Sequence, residues 1–411
     1  MKLYKLMCIT LLLLLQLSGM QLYAQTEFKK NVYHRTSAVI KKDFPKSGGY
    51  ENKALVHEKL LFSIYELLCI GDYKGSLSRY DSIFAPGFSF LDSLNHYKDA
   101  DDYFPVSAQK YILEQARSAR VLIINENHDQ PQHRLFTETL LSGLYEAGFH
   151  YMAVEGLESD SLGRDRHVTL NSGYYTTEPR FANMLRQAAT LGYSCVSYEA
   201  VSGAEMKKRD YYQAVHIKEK VFDRDPEAKL IVYCGFEHND EQVRPDSSSA
   251  MAGWLKTIMG FDPLTIDQVL LTESSSHDLE NTSYAILHAN ESAVFINKHD
   301  SLPLLPFDRK TTCDIYVYHP RTSYKNKRPG WLLNDKSYVE FAMPAIPDQL
   351  VFPVLVIAYN SSEKPGLAIP ADAFEMASRT DKKNLVLKRG DYKVVLRDSK
   401  QKEQSLMIHV K

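Results

Sequence analysis

Between Arg120 and Asn297, short apolar runs alternate along the chain with amphipathic stretches of helical period. Runs such as Val121–Ile124 and Leu230–Tyr233 are apolar at every position, which is typical of strands covered on both faces. The alternation predicts an α/β fold over residues 113–300, with a mostly parallel sheet flanked by helices. The predicted strands are Val121–Asn125, Tyr151–Glu155, Ser194–Glu199, Leu230–Gly235, Gln268–Thr272 and Ala293–Asn297, and the predicted helices are Gln132–Ala147, Arg180–Leu191, Glu205–Phe222 and Ser248–Met259.

The segments on either side of this core have different patterns. From Asn52 to Arg117 apolar residues recur every three or four positions, which predicts a helical N-terminal segment within residues 25–112. After Pro306 the helical period ends, and a turn at Arg389–Asp391 indicates a hairpin. Short alternating strands there predict a C-terminal β-sandwich over residues 310–411. These strands are Asp314–Tyr318, Tyr338–Ala342, Val354–Tyr359, Leu385–Lys388, Tyr392–Arg397 and Ser405–Val410.

The first 24 residues have the layout of an export signal. Lys2 and Lys5 precede an apolar run through Leu11–Leu15, and the small Ala24 suits cleavage. We therefore expect a signal peptide over residues 1–24 and a mature chain that is periplasmic or secreted. The apolar run is too short for a comfortable membrane span, so no span is expected after cleavage.

Composition and motifs exclude several classes of function. The chain has 49 Lys and Arg against 51 Asp and Glu, a net charge of -2. Because no basic surface is available to neutralise phosphates, nucleic acid is not an expected partner. The serine-hydrolase elbow, phosphate-binding Gly loop, dinucleotide fingerprint and His-Glu-x-x-His helix are all missing from the sequence. The expected partner is a small-molecule or peptide substrate.

Carboxylates follow five successive predicted strands. In an open α/β sheet, ligands bind in the crevice at the carboxyl ends of the strands, so these side chains are expected to share one edge. Two imidazoles, His128 and His238, stand in the same segments. They are expected to act as a general base or as metal ligands, and the alternative is two buried histidines that bind strand-end backbone groups. The five carboxylates are Glu126, Glu155, Glu199, Glu237 and Glu273.

Residues on the neighbouring helices add to this set. Pro131 opens the helix after the first strand, so the positive end of that helix is expected to face the site. His133 lies a helical step beyond His128 and faces either the crevice or solvent. Arg209 is expected to clamp an anion or to pair with a carboxylate. For Glu155 an acid or base role and a structural pairing with Arg209 both stay open.

The motifs resemble those of the superfamily of ChaN-type haem-binding proteins, TIKI-type metalloproteases and EreA-like erythromycin esterases. The stretch VLIINENHDQPQHRLFTETLLSGLYEAGFHYMAVE, residues 121–155, is similar to the family's strand ending in Gly-Glu-x-His-Asp, its helix and its next strand ending in Glu. Residues 209–214 and Gly235–His238 resemble its Arg-bearing helix and its second motif, Gly-x-x-His. Asn125 replaces the first motif's Gly, and because Asn tolerates the left-handed backbone, the turn is expected to survive.

The resemblance implies a hydrolase of ester or amide bonds, which the first 24 residues predict to be exported, with His128, Glu155, Arg209 and His238 as the catalytic residues. A metal-assisted form would bind Mn, Co or Zn through Glu126, His128, Glu155 and His238. The alternative is a non-catalytic haem- or iron-binding protein of ChaN type, with His128 or His133 near the iron. A further alternative is that the C-terminal strands carry the function and the core is only a scaffold.

Overall fold

The computed structural model describes residues 28, 32–42, 53–84, 100–160, 162, 167–244, 248–307, 309–363 and 366–411. The signal peptide expected at residues 1–24 lies outside the described residues. Within this described part of the chain, no helix combines the length and apolarity that crossing a bilayer requires.

The described residues form sixteen strands, all of them after residue 100. They are, in chain order, β1 Tyr103–Ser107, β2 Val121–Glu126, β3 Phe149–Val154, β4 Ser194–Ser197, β5 Lys229–Gly235, β6 Leu264–Asp267, β7 Ala293–Asn297, β8 Ile315–Tyr316, β9 Tyr324–Lys325, β10 Arg328–Pro329, β11 Tyr338–Phe341, β12 Val354–Asn360, β13 Asp372–Met376, β14 Leu385–Lys388, β15 Gly390–Asp398 and β16 Glu403–Val410. Six of them form one sheet in the order β4-β3-β5-β2-β6-β8, and every pair in it is parallel. The predicted α/β core with a parallel sheet is therefore confirmed.

Helices pack on both faces of this sheet, and the described residues form ten α-helices. They are α1 Ser37–Lys42, α2 Lys53–Cys69, α3 Tyr73–Phe84, α4 Ala108–Ala116, α5 Pro131–Glu146, α6 Pro179–Leu191, α7 Gly203–Met206, α8 Arg209–Ile217, α9 Met251–Met259 and α10 Thr282–Ile286. Alternate residues of β2 point to opposite faces. Leu122 and Ile124 pack in a cluster with α4, α5 and α6, whereas Val121 and Ile123 pack in a cluster with α8 and α9. This two-sided burial explains why the strands are apolar throughout.

Three strand predictions are wrong in position or in pairing. The strand predicted at Gln268–Thr272 lies earlier, as β6, because the Asp267 carboxylate accepts hydrogen bonds from Val269 N and Leu270 N and turns the chain. The strand at Ala293–Asn297 pairs antiparallel with β1, outside the six-stranded sheet. The strand predicted at Asp314–Tyr318 supplies β8, so it belongs to the core sheet rather than to the C-terminal region.

The C-terminal strands form antiparallel sheets, one of four strands in the order β13-β12-β15-β16 and two of two strands each, β11 with β14 and β9 with β10. Leu355 and Ile357 of β12 pack on the N-terminal helices, in one cluster with Leu67 and Leu68 of α2. The helical N-terminal segment therefore contacts the C-terminal region as well as the core.

Candidate functional site

The carboxyl edge of the parallel sheet brings together residues from β2, β3 and β5. Glu126 is the last residue of β2, and it lies opposite Gly235, the last residue of β5. Glu155 directly follows β3. A 3₁₀ turn at Phe236–Asn239 carries His238. Because parallel strands end at a common edge, the four segments meet where an open sheet binds its ligand.

His128 is held by a carboxylate on one ring nitrogen. Its Nδ1 lies 2.7 Å from Glu126 Oε1, and since an ionised carboxylate only accepts, this contact assigns the proton to Nδ1. The Nε2 lone pair is then available, and no hydrogen bond from another described residue reaches it. A Cβ on Gly235 would lie 2.6 Å from Nε2 and 3.4 Å from Glu155 Oε2, so the missing side chain makes room for both groups.

Glu126 is buried beneath His128 and is bound from several sides. Arg134 Nε and Nη2 donate to its two oxygens at 2.7 Å each, and the Tyr233 hydroxyl donates to Oε2. Burial raises the pKa of the Glu126 carboxyl, but the Arg134 charge and these hydrogen bonds outweigh burial and hold the pKa well below its usual range. Glu126 therefore stays ionised and orients the imidazole.

Glu155 is ionised for a similar reason. Arg209 Nη2 donates to its Oε1 at 2.5 Å, and Gly235 N donates to Oε2. Burial raises the pKa of the Glu155 carboxyl, but the charges of His238 and Arg209 lower it by more, to about 2. At neutral pH this side chain is a fixed negative charge beside His128.

Arg209, the first residue of α8, is fixed by its neighbours. Its Nε donates to Glu199 Oε1 at 2.8 Å, and its Nη2 donates to both Glu155 and Glu199. Its Nη1 lies 2.6 Å from His238 Nε2. Of the two roles that the sequence left open, these contacts favour a carboxylate partner over a free anion clamp.

His238 repeats the arrangement of His128. Its Nδ1 lies 2.5 Å from Asp210 Oδ1, so the proton is assigned to Nδ1 and Nε2 accepts from Arg209. Burial lowers the pKa of His238, but the Asp210 and Glu155 carboxylates outweigh burial and raise it. Asp210 was missed by sequence reasoning, and its position beside Arg209 in the first turn of α8 was the only available signal.

Asn125 does not form the left-handed turn expected of it. It lies within β2, and the non-glycine residue with a left-handed backbone at this edge is Phe236, at φ 44°. The Asn125 amide donates to Phe236 O at 2.7 Å and to Asp267 Oδ2 at 2.9 Å, and its Oδ1 accepts from Gln268 N. The Asn125 side chain thus ties the ends of β2, β5 and β6 together.

Three predicted residues lie apart from these contacts. His133 is fully buried, its Nδ1 accepts from Asn127 N at 3.0 Å, and burial lowers its pKa to about 3. The Glu273 carboxylate accepts from Thr322 N at 3.0 Å. Glu237 is exposed to solvent.

The donor set does not fit a metal ion as it is arranged. Within the described ranges, no group of three or more His, Cys, Asp or Glu side chains is placed to hold one. Both oxygens of Glu126 are engaged by Arg134, and those of Glu155 by Arg209 and Gly235. His133 does not fit a haem iron, because its ring is enclosed and its Nε2 lies 3.4 Å from Thr272 Oγ1.

Comparisons with known proteins give distant similarities only. No protein-family model matches the chain, and no curated protein matches it significantly. A solved structure of the type III effector HopBA1 is 14% identical, with a TM-score of 0.31, and the match covers 54% of this chain and 99% of the effector. Two structures described as bacterial protein toxins are 12% and 13% identical, with TM-scores of 0.31 and 0.29, over 56% of this chain and 52% of each toxin.

Proposed function

We propose that this chain is a hydrolase of ester or amide bonds in which His128 is the general base. The observation that carries the proposal is an imidazole whose Nδ1 is bound by an ionised carboxylate and whose Nε2 has no hydrogen-bond partner among the described residues. A base needs such a lone pair, and a carboxylate at Nδ1 both orients the ring and stabilises the imidazolium that forms.

In the proposed reaction His128 Nε2 takes a proton from a water molecule as the water oxygen attacks the carbonyl carbon. When the tetrahedral intermediate breaks down, the bond to the leaving oxygen or nitrogen breaks, and the same proton passes from His128 to the leaving atom. Glu126 stays ionised throughout, as its bonds to Arg134 favour. Glu155, Arg209 and His238 form a fixed charged wall beside the reacting groups.

The proposal also includes membership of the superfamily, export of the mature chain and a C-terminal β-sandwich. The motif residues shared with the ChaN, TIKI and EreA superfamily meet at one edge of the sheet, which supports membership of this superfamily. These residues are Glu126, His128, Glu155, Arg209 and His238. The layout of residues 1–24 supports export. A single apolar cluster that includes Phe374 of β13, Val394 of β15 and Leu387 of β14 supports a sandwich of the two C-terminal sheets.

The test is turnover of p-nitrophenyl esters and short peptide amides by the mature chain. We expect His128→Gln to lower kcat/KM by about 10² to 10⁴, the usual contribution of a positioned base, without a change in thermal midpoint. His150→Gln is the matched control, because His150 is an exposed histidine of β3.

The haem alternative is tested in the same preparations. Metal content and absorbance are measured on the wild type, His128→Gln and His133→Gln. A stoichiometric Soret band that only the wild type keeps, together with equal turnover in all three proteins, would overturn the hydrolase proposal in favour of the binding protein.

A further inference from the structure

An aromatic ring covers one face of the His128 imidazole. The ring of Tyr175 is stacked on it, with 3.9 Å between centroids and 18° between planes. Phe236 meets the imidazole edge-on, at 5.0 Å and 86°. With Glu126 on Nδ1, the imidazole is held at its face, its edge and one nitrogen, and its orientation depends on where Tyr175 lies.

The backbone near Tyr175 is held in place where the chain at Gly173 passes close to the chain at Gly156. Gly156, just after β3, has a φ of 81°, and Gly173 has a φ of 157°. A Cβ on Gly173 would lie 1.9 Å from Gly156 O, so the two strands of this loop come as close as only glycine allows. A Cβ on Gly156 would lie 3.1 Å from Tyr175 Cδ2, so the ring rests directly against the loop base.

The N-terminal helices hold the same turn from outside. The hydroxyl of Tyr65, on α2, donates to Tyr175 O, and the two rings meet edge to face at 5.7 Å. Tyr65 also stacks on Tyr174 at 4.9 Å. The hydroxyl of Tyr33 donates to Thr177 O in the same 3₁₀ turn. Two tyrosines from the N-terminal segment therefore bind the backbone that carries Tyr175.

Tyr65 also contacts the other support of His128. The Arg134 guanidinium carbon lies 5.8 Å from the centre of the Tyr65 ring, and the same guanidinium binds Glu126 and His128 O. Tyr65 thus touches both the residue that covers the imidazole and the residue that fixes its carboxylate. Tyr65 stands 110 positions before Tyr175 in sequence, so these contacts are not local consequences of the first motif.

We propose that Tyr175 is a positioning residue for His128 and that Tyr65 of α2 sets the place of Tyr175. The N-terminal helices then support the active site and are not a structurally separate segment that precedes the core. This inference rests on the proposed function for its kinetic consequence only, because the packing of the imidazole exists whether or not the chain turns a substrate over.

The experiment compares Tyr175→Leu, Tyr175→Phe and Tyr65→Phe by NMR of the His128 Cε1–H resonance, assigned through His128→Gln. A proton under a stacked ring is shielded, so we expect Tyr175→Leu to move this resonance downfield and Tyr175→Phe to leave it near the wild-type position. Tyr65→Phe keeps the ring and loses only the hydroxyl bond, so a smaller shift in the same direction is expected. Tyr145→Leu is the control, because Tyr145 contacts a different imidazole, His150, at 4.6 Å.

The kinetic arm uses the substrate found for the wild type. We expect Tyr175→Leu to lower kcat by about tenfold with a smaller change in KM, as misplacement of a catalytic group does, and Tyr175→Phe to restore kcat. A His128 resonance equally unmoved in Tyr175→Leu and Tyr145→Leu would overturn the inference. Absence of turnover in the wild type would overturn the proposed function instead, and the NMR result would still decide the inference.

Discussion

Two groups of charged side chains in this molecule use the same residue types to different ends. The edge cluster comprises His128, Glu155, Arg209 and His238. The interior network comprises Arg134, Glu178, Arg180, Arg328 and Asp372, where the core meets the C-terminal sheet. Side chains of the edge cluster are 7% to 20% exposed, whereas Arg134, Arg180, Glu178 and Asp372 are fully enclosed.

Pairing differs as well as access. Arg134 lies between Glu126 and Glu178, 3.0 Å from the latter, and Asp372 binds Arg328 at 2.6 and 2.7 Å. In the interior network every charge faces an opposite charge, and only Arg328, 6% exposed, reaches solvent. The edge cluster keeps a basic nitrogen, Nε2 of His128, without a partner among the described residues. An unpaired basic atom at an accessible edge, rather than buried charge as such, is what marks the functional candidate.

The largest effect should come from breaking the interior network. Arg134→Met removes the cation between Glu126 and Glu178, and leaving buried charges without a partner costs about 3 to 5 kcal/mol. Urea unfolding measures this loss of free energy of unfolding. Arg117→Met is the control, because the Arg117 side chain is 73% exposed and its pair with Glu114 lies at the surface. Equal losses in the two variants would break the distinction between interior and exposed charge.

A smaller effect should appear when Glu155 of the edge cluster is neutralised. Its folded pKa of about 2 is below its ordinary value of 4.5, so its contribution to stability is present above pH 4.5 and is lost as the pH falls towards 2. We expect Glu155→Gln to flatten the fall in free energy of unfolding between pH 5 and pH 2. Glu114→Gln, at an exposed position, should leave the fall unchanged. Parallel curves for the wild type and Glu155→Gln would contradict the ionised pairing with Arg209.

The same contrast explains what the sequence could and could not predict. Glu126, Glu155 and His238 could be found because apolar parallel strands are visible in sequence and their carboxyl ends must share an edge. The stacking of Tyr175 could not be predicted, because it depends on a loop crossing and on a helix distant in sequence. The full burial of His133 could not be predicted, because helical spacing places it near His128 but does not say which face of α5 is enclosed.

The boundaries of β6 were mispredicted for a local reason. The run Gln268–Thr272 contains apolar residues suited to a strand, yet the preceding Asp267 binds the next backbone N–H groups and ends β6 first. The sheet to which β8 belongs was mispredicted for a non-local reason. The pairing of Ile315 with Ile266 joins segments nearly 50 positions apart. Any strand of suitable hydrophobic pattern can pair with the edge of a sheet. Sequence spacing alone therefore does not predict which of two sheets a strand joins.

The smallest effect concerns the charge of His238, the second imidazole of the edge cluster. The pKa of His238 is raised because the Asp210 and Glu155 carboxylates outweigh burial, so the stability it contributes is complete below its ordinary value of 6.5 and is lost as the pH rises through the folded pKa. Asp210→Asn keeps an oxygen for Met251 N and removes the nearest negative charge. We expect Asp210→Asn to lower the pKa of His238, measured by NMR titration of the ring. Asp223→Asn, at an exposed pair with Lys218, should leave this pKa unchanged.

Arg209 Nη1 can only donate a hydrogen bond, so its contact with His238 Nε2 requires the unprotonated ring. Because a lower pKa keeps the ring unprotonated at lower pH, Asp210→Asn should keep this contact to a lower pH than the wild type. An unchanged pKa of His238 in Asp210→Asn would mean that Glu155 rather than Asp210 holds the imidazolium, and it would place both imidazoles of the edge cluster around one shared carboxylate.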